Sequence, residues 1–269
     1  MNIITAVILG AVQGLTEFLP VSSSGHLVLL QKIFGITEPA LFFDTMVHVG
    51  TLAAVLAVLW QDILAILKRI IQPLVGWLIL ATVPTVIAAV AFSGFIEHAF
   101  ESGRFLGFSF LITAALLCIA ELLSRRRSGN GLRKAEDMNW LDALVIGILQ
   151  AVAVIPGISR SGATISGALS RRLDRDFAAR FSFLMSIPAI LGAVVFQSKD
   201  LVKYGAAEAG SIPSAAIIAG TASAAIVGFF AIRLMLKIIR ERSLFGFAVY
   251  TAVLGILVLI DQFAVHLVF

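Results

Sequence analysis

The chain has 269 residues, of which 59% are hydrophobic and 13% charged, and its mean hydropathy is +1.02; soluble chains carry about 25% charged residues. A soluble domain of this size cannot hide so much apolar surface, which excludes a soluble enzyme, a disordered protein and a nucleic-acid binder working through a basic face, and implies an integral membrane protein. The net charge is only +4, and the single cysteine, Cys118, excludes an internal disulfide or a cysteine metal cluster.

The start of the chain lacks a basic segment and a small-residue cleavage site, so no cleaved leader is expected. Apolar character persists to Phe269, so no soluble domain is expected at either end. In chain order the apolar stretches are 3–19, 26–35, 45–67, 74–96, 105–123, 141–155, 162–170, 181–197, 212–235 and 244–268. Several reach the roughly 20 residues that a spanning helix needs. Stretches 26–35 and 162–170 are too short to cross, and each follows a Pro/Ser/Gly-rich break. Such a pair predicts a re-entrant hairpin, two half-helices entering and leaving by one side. The small-residue run 212–228 can pack within the chain or pair two copies as a homodimer.

The longest polar segment, 124–139, lies near the middle and reads as a linker between a first repeat, 1–123, and a second, 140–269. At a shift of 137, Gly10 coincides with Gly147, Gln13 with Gln150, Ser22 with Ser159, Ser24 with Ser161 and Gly25 with Gly162. At a shift of 139, Gly107-Phe108 coincides with Gly246-Phe247. An internal duplication within one polytopic domain follows. Each half then holds a hairpin plus three spans, an odd number, so the second half is inverted relative to the first. The predicted fold is an all-α integral membrane protein of inverted-topology repeats.

The charges fit this topology. One side holds Lys68, Arg69, Arg125, Arg126, Arg127, Arg133, Lys134, Arg171, Arg172, Arg175, Arg180, Arg233, Lys237, Arg240 and Arg242, which is 15 cations. The other holds Lys32, Arg104, Lys199 and Lys203, which is 4. The positive-inside rule puts the basic loops in the cytoplasm and both termini outside. The first hairpin then opens outward and the second inward, with their tips meeting near the midplane.

Ionisable groups are costly in hydrocarbon and therefore mark function. The first hairpin brings Gln13, Glu17, Ser22, Ser23, Ser24 and His26. Gln13 and Glu17 share a helix face, and Ser23 and His26, three apart, can approach each other. Around Pro20 the chain breaks and re-enters a helix whose N-terminus presents free N–H groups and a positive dipole end, which suits phosphate. The second break, Pro156 to Thr164, has Val154 where the first half has Glu17, Arg160 for Ser23 and Ala163 for His26. The copies thus share a scaffold and differ in chemistry, and together they make an anion site with a nucleophile, a base and a guanidinium clamp. Plainer roles compete. Gly10, Gly14, Gly147 and Ser166 suit close helix packing, and Gln13 or Gln150 suits interhelical hydrogen bonding. Glu17 alone suits an ion site, and Arg160 alone suits loop carbonyls. Asp44 and His48 either line the cavity or sit at the interface. Asp261 and His266 read as solvated interfacial groups, and Arg125–Arg127 as a topology signal touching headgroups.

The segment from Gln13 to His26 (QGLTEFLPVSSSGH), with Pro156 to Thr164 (PGISRSGAT), resembles the bacterial undecaprenyl-diphosphate phosphatases, also called bacitracin-resistance proteins. The resemblance extends over the whole chain. It implies an enzyme of the bacterial plasma membrane that converts undecaprenyl diphosphate in the bilayer to undecaprenyl phosphate and phosphate. That product is the lipid carrier for peptidoglycan and other wall polymers. It implies no nucleic-acid partner, dependence on Mg2+ or Ca2+, and a site reached from the outer face. By position, Glu17, Ser23, His26 and Arg160 match the family's catalytic residues. Ser22, Ser24, Ser159, Ser161 and Thr164 fall to the phosphate pocket, and Glu17 with Gln13 to the metal. Many relatives carry a second carboxylate at the position of Gln13, which leaves one carboxylate here for the cation. Three mechanisms fit the residues: Ser23 attacking with His26 as base, His26 attacking, or His26 activating water. The competing class is a lipid-phosphate transporter, because inverted repeats with broken helices are also a transporter architecture. A structural scaffold does not account for Glu17, His26 and Arg160 at paired breaks.

Overall fold

The computed structural model describes residues 1–36, 40–126 and 132–269, with side chains throughout except at 101, 126 and 196–211. Among the described residues the fold is helical, with one isolated bridge between Arg133 and Leu173. The first half comprises α1 (Ile3–Phe18), α2 (Ser23–Ile33), α3 (Leu41–Val58), α4 (Trp60–Lys68), α5 (Pro73–Ala91), α6 (Ser93–Ser102) and α7 (Leu106–Arg126). The second comprises α8 (Trp140–Val152), α9 (Arg160–Ser170), α10 (Arg175–Ser211), α11 (Ser214–Glu241) and α12 (Phe245–Ile260). Six helices are long and apolar enough to cross a membrane: α3, α5 and α7 in the first half, α10, α11 and α12 in the second. The shorter helices α1, α2, α8 and α9 fall where the two hairpins are expected. Asn2 caps α1 by accepting the Thr5 N–H at 2.8 Å, and Asn139 caps α8 with Asp142 reaching back in a capping box.

Each hairpin's first arm packs on a spanning helix of the other half, α1 on α11 and α8 on α5. Small residues make the approach close. A Cβ added at Gly10 would meet the Gly220 carbonyl oxygen at 2.1 Å, and one at Gly147 would meet that of Ala81 at 2.5 Å. Gly10 corresponds to Gly147, and at the shift of 139 Ala81 corresponds to Gly220, so the two contacts are equivalent between the halves. The run 212–228 is thus used inside the chain, where α11 covers α1 and α3. Gln150 donates to Thr85 at 2.9 Å across the α8–α5 contact. Gly10→Ala is expected to force α1 from α11 and to cost more than about 1 kcal/mol. Its Tm in detergent should fall, whereas Gly76→Ala, whose Cβ would meet nothing within 4 Å, should leave Tm unchanged or raised.

The largest core cluster gathers Phe18, Leu59, Ile146, Ile165, Phe183, Met235 and Leu244. Phe18 meets Phe183 edge-on with centroids 5.6 Å apart. Outside, Ile79, Val86, Phe230 and Leu257 are exposed, as suits helices facing lipid.

Ion pairs gather many of the basic residues at one end of the bundle. Asp142 is bonded by Arg133 at 2.7 Å and Arg171 at 2.7 Å. The Asp142 hydrogen bond holds the Arg133 guanidinium above its ordinary value, against a smaller opposing effect of burial. Glu121 takes Arg125 at 2.9 Å and Arg175 at 2.8 Å, and Asp176 takes Arg180 and Arg240. At the other end Lys32 lies 4.8 Å from the Phe269 ring centroid, and the Asp261 carboxylate accepts the N–H groups of Leu267, Val268 and Phe269. Asp261 is therefore a cap for the chain end. Arg126, Arg127, Lys199 and Lys203 lie outside the described side chains.

Three predicted stretches are corrected. Stretch 45–67 divides at Leu59, and 74–96 ends at Ala91 before the separate helix α6. Leu59 is fully buried, and the turn it anchors lets Asp62 reach Arg180 at 2.8 Å. Stretch 181–197 belongs to one helix, α10, with Pro188 inside it; its charged first turn is held by the Asp174 cap, which accepts the Phe177 N–H at 3.1 Å.

Candidate functional site

The two hairpin breaks meet tip to tip. Pro20 ends the first arm, and Ser22, at φ +73°, turns the chain into α2. Gly157, at φ +88°, does the same before α9, in a region that favours glycine. Ser161 Oγ donates to the Leu19 carbonyl at 3.1 Å, and the Gly157 N–H donates to Ser24 Oγ at 3.3 Å. Ser22 Oγ accepts the Gly25 N–H at 3.3 Å and Ser159 Oγ accepts the Gly162 N–H at 3.0 Å, so each serine caps its helix. Among the described residues, the backbone N–H groups of Ser23, Ser24, Arg160 and Ser161 at the helix starts have no acceptor and are orphan donors. Two positive helix ends thus converge in one place.

Glu17 is the hub. Arg160 Nη2 donates to Oε1 at 2.8 Å. Ser23 Oγ donates to Oε2 at 2.5 Å, and Gln13 Nε2 donates to the same oxygen at 3.0 Å. His48 Nε2 lies 4.0 Å from Oε2, and its Nδ1 is held by the Asp44 carbonyl at 2.6 Å. His48 therefore lies beside Glu17. Asp44 accepts Gln31 at 2.7 Å. Arg160 also donates from Nη1 to the Ser182 carbonyl at 3.1 Å, which leaves three of its five donors for a ligand.

The expected approach of Ser23 to His26 does not occur. His26 Nδ1 lies 2.6 Å from the Ser22 carbonyl oxygen and Nε2 lies 2.7 Å from the Tyr250 hydroxyl. Both ring nitrogens are engaged, and the group that Ser23 meets is the Glu17 carboxylate. Thr164 bonds Ser182 Oγ at 2.6 Å and the Arg160 carbonyl at 2.9 Å, so it braces the start of α9. The Ser159 N–H donates to Thr113 Oγ1 at 3.0 Å. Ser166 Oγ is buried without a partner in the packed stretch of α9.

No three His, Cys, Asp or Glu side chains among the described residues converge as a metal cluster. Yet Gln13 Oε1 is fully buried and has no hydrogen-bond partner, although it belongs to the side chain that bonds Glu17. An orphaned buried oxygen is costly and is a hard donor. With a Glu17 oxygen it is the type of hard donor that would suit a divalent cation.

A bilayer enzyme family is thus suggested by its broken helices and by a serine, a carboxylate and a guanidinium in contact. The family model described as "Bacitracin resistance protein BacA" matches residues 6–257. The chain belongs to this family. The undecaprenyl-diphosphatase of Carboxydothermus hydrogenoformans is 48% identical over 98% of this chain and 99% of that protein. Undecaprenyl-diphosphatase 3 of Bacillus cereus is 44% identical over 98% of each. The undecaprenyl-diphosphatase of Methanosphaera stadtmanae is 40% identical over 97% of this chain and 98% of that protein.

Within this BacA-family chain, two contributors were not predicted. Ser182 and Tyr250 reach the site from α10 and α12. Tyr250 had a signal, since it is one of only 2 tyrosines and lies in an apolar span where a hydroxyl needs a partner. Ser182 acts through its backbone carbonyl, which no residue type reveals.

Proposed function

We propose that the chain hydrolyses undecaprenyl diphosphate to undecaprenyl phosphate and inorganic phosphate, recycling the lipid carrier for peptidoglycan and other wall polymers. The observation that carries this reading is the Glu17 carboxylate accepting both Ser23 and Arg160 where two helix N-termini converge. Family membership and the names of the relatives support the substrate.

Ser23 Oγ forms a bond to the terminal phosphorus while the bond to the bridging oxygen breaks, and undecaprenyl phosphate leaves. The Ser23 proton passes to Glu17 Oε2. Arg160 and the orphan N–H groups stabilise charge on the equatorial oxygens. Water then cleaves the phosphoserine, Glu17 returns its proton to Ser23 Oγ, and phosphate departs. Gln13 and Glu17 would hold Mg2+ or Ca2+, which when bound neutralises diphosphate charge. Ser22, Ser24, Ser159, Ser161 and Thr164 shape the pocket around the phosphate.

The equivalent α1–α11 and α8–α5 contacts support an inverted repeat. The ion-paired basic end supports cytoplasmic placement of that end in the plasma membrane, with the site opening to the outer face. The test is phosphate release from undecaprenyl diphosphate by purified protein in detergent. Release is expected with Mg2+ or Ca2+ and is expected to fall at least about tenfold with EDTA, since the cation offsets phosphate charge. Absence of release by folded protein with metal present would overturn the reading in favour of lipid transport, which a flipping assay then measures.

A further inference from the structure

The His26 imidazole is deep in the fold, yet it touches neither Ser23 nor Glu17 through a hydrogen bond. Its Nδ1 lies 2.6 Å from the Ser22 carbonyl oxygen. A carbonyl can only accept, so Nδ1 carries the proton. In the neutral ring Nε2 is then a bare acceptor. The Tyr250 hydroxyl, 2.7 Å away, donates to it. The two rings are nearly parallel, with 8° between their planes and centroids 5.7 Å apart. Phe110 closes the other side edge-on at 5.5 Å. The imidazole is thereby fixed in tautomer, plane and depth.

What it fixes in turn is the helix start. The Ser22 carbonyl is the other anchor of the ring, and Ser22 is held at φ +73°. The next residue is Ser23, whose hydroxyl is 2.5 Å from Glu17. Tyr250, His26, the Ser22 carbonyl and Ser23 therefore form one chain of contacts running from α12 to the nucleophile. About half of the Tyr250 surface is exposed. A phenylalanine there would fill the same space and leave Nε2 facing apolar surroundings with no donor.

The internal duplication supplies a control within the sequence. His26 corresponds to Ala163 at the shift of 137, and Tyr250 corresponds to Leu111 at the shift of 139. The positions equivalent to the pair, Ala163 at the second hairpin and Leu111 on α7, carry neither an imidazole nor a hydroxyl. Helix packing alone needs neither, because the second hairpin folds without them.

We propose that Tyr250 is a positioning residue of the phosphatase site, acting through His26 to hold the Ser22–Ser23 helix start. This rests on the hydrolytic reading above. The test is Tyr250→Phe in the full-length protein in detergent, alone and combined with His26→Ala. Tm is expected to fall by only a few degrees, the cost of one unpaired ring nitrogen. We expect kcat to fall about 10- to 100-fold, the range for outer hydrogen-bond partners of functional imidazoles, with KM changed less than about twofold. In the His26→Ala background the added Tyr250→Phe is expected to change kcat less than about twofold. The 15N resonance of the bare Nε2 of His26, assigned by its loss in His26→Ala, is expected to shift when its Tyr250 donor is removed, while Nδ1 stays protonated against the Ser22 carbonyl. An unchanged kcat, an undiminished effect without His26, or an unshifted Nε2 resonance would overturn the proposal. The imidazole spectrum does not depend on turnover. Wild type that releases no phosphate therefore overturns the hydrolytic reading, while the spectrum still decides whether Tyr250 donates to His26 Nε2.

Discussion

Ser23→Ala is expected to lower phosphate release by at least about 10³-fold, as removal of a covalent nucleophile does, while Tm changes by only a few degrees. The reasoning starts from position. Ser23 opens α2, and the cap of that helix is the neighbouring Ser22, which accepts the Gly25 N–H. Removing the Ser23 hydroxyl therefore leaves the cap intact. What is lost is the donor at 2.5 Å from Glu17 Oε2, and Glu17 keeps Arg160 and Gln13 as partners. The structural cost is one hydrogen bond, about 1 kcal/mol, against a catalytic loss several times larger. Stopped turnovers should also trap 32P on wild-type protein and none on Ser23→Ala when the terminal phosphate carries the label. Release near the wild-type rate by Ser23→Ala would overturn the covalent route and leave water or His26 as the attacking group.

Much of this arrangement is legible in the sequence because hydrocarbon makes polar residues informative. Glu17 and Arg160 stand at paired Pro/Ser/Gly breaks, and a carboxylate and a guanidinium in such places need each other; the structure joins them at 2.8 Å. The glycines at 10, 14 and 147 are also legible, since the contacts they permit are within the chain and nearly backbone to backbone. The partner of Ser23 was not legible. Spacing of three residues on one helix allows Ser23 and His26 to meet, but the imidazole folds back on the Ser22 carbonyl four residues earlier. That choice is decided by Tyr250, which lies 224 residues away in sequence. The ends of α3 and α5 were missed for a related reason. Neither Leu59 nor Phe92 carries the mark of a break, and the turn at Leu59 is set by its burial and by the Asp62–Arg180 pair.

Glu17→Gln and Arg160→Met are each expected to abolish measurable release and to lower Tm, whereas the double variant should regain Tm without regaining activity. Both groups are largely buried, with side-chain exposures of 7% for Glu17 and 15% for Arg160. Removing one partner of such a pair leaves an uncompensated charge and costs about 3–5 kcal/mol. Removing both replaces the pair by neutral groups, which is often neutral or stabilising. Arg160 keeps only the Ser182 carbonyl when Glu17 is neutralised, and a single carbonyl does not balance a guanidinium. Conversely, Glu17 without Arg160 retains two hydrogen-bond donors, Ser23 and Gln13, and His48 at 4.0 Å. It should therefore suffer less in Tm than Arg160 does without Glu17. Catalysis behaves differently, because the carboxylate takes the Ser23 proton and the guanidinium faces the developing phosphoryl charge, and no neutral pair does either. The measurement is a double-mutant cycle read twice, once by thermal unfolding in detergent and once by phosphate release. Stability losses that simply add in the double variant would show that the two groups do not compensate each other. Recovery of both stability and release would show that the ion pair is scaffold and that the reacting groups lie elsewhere.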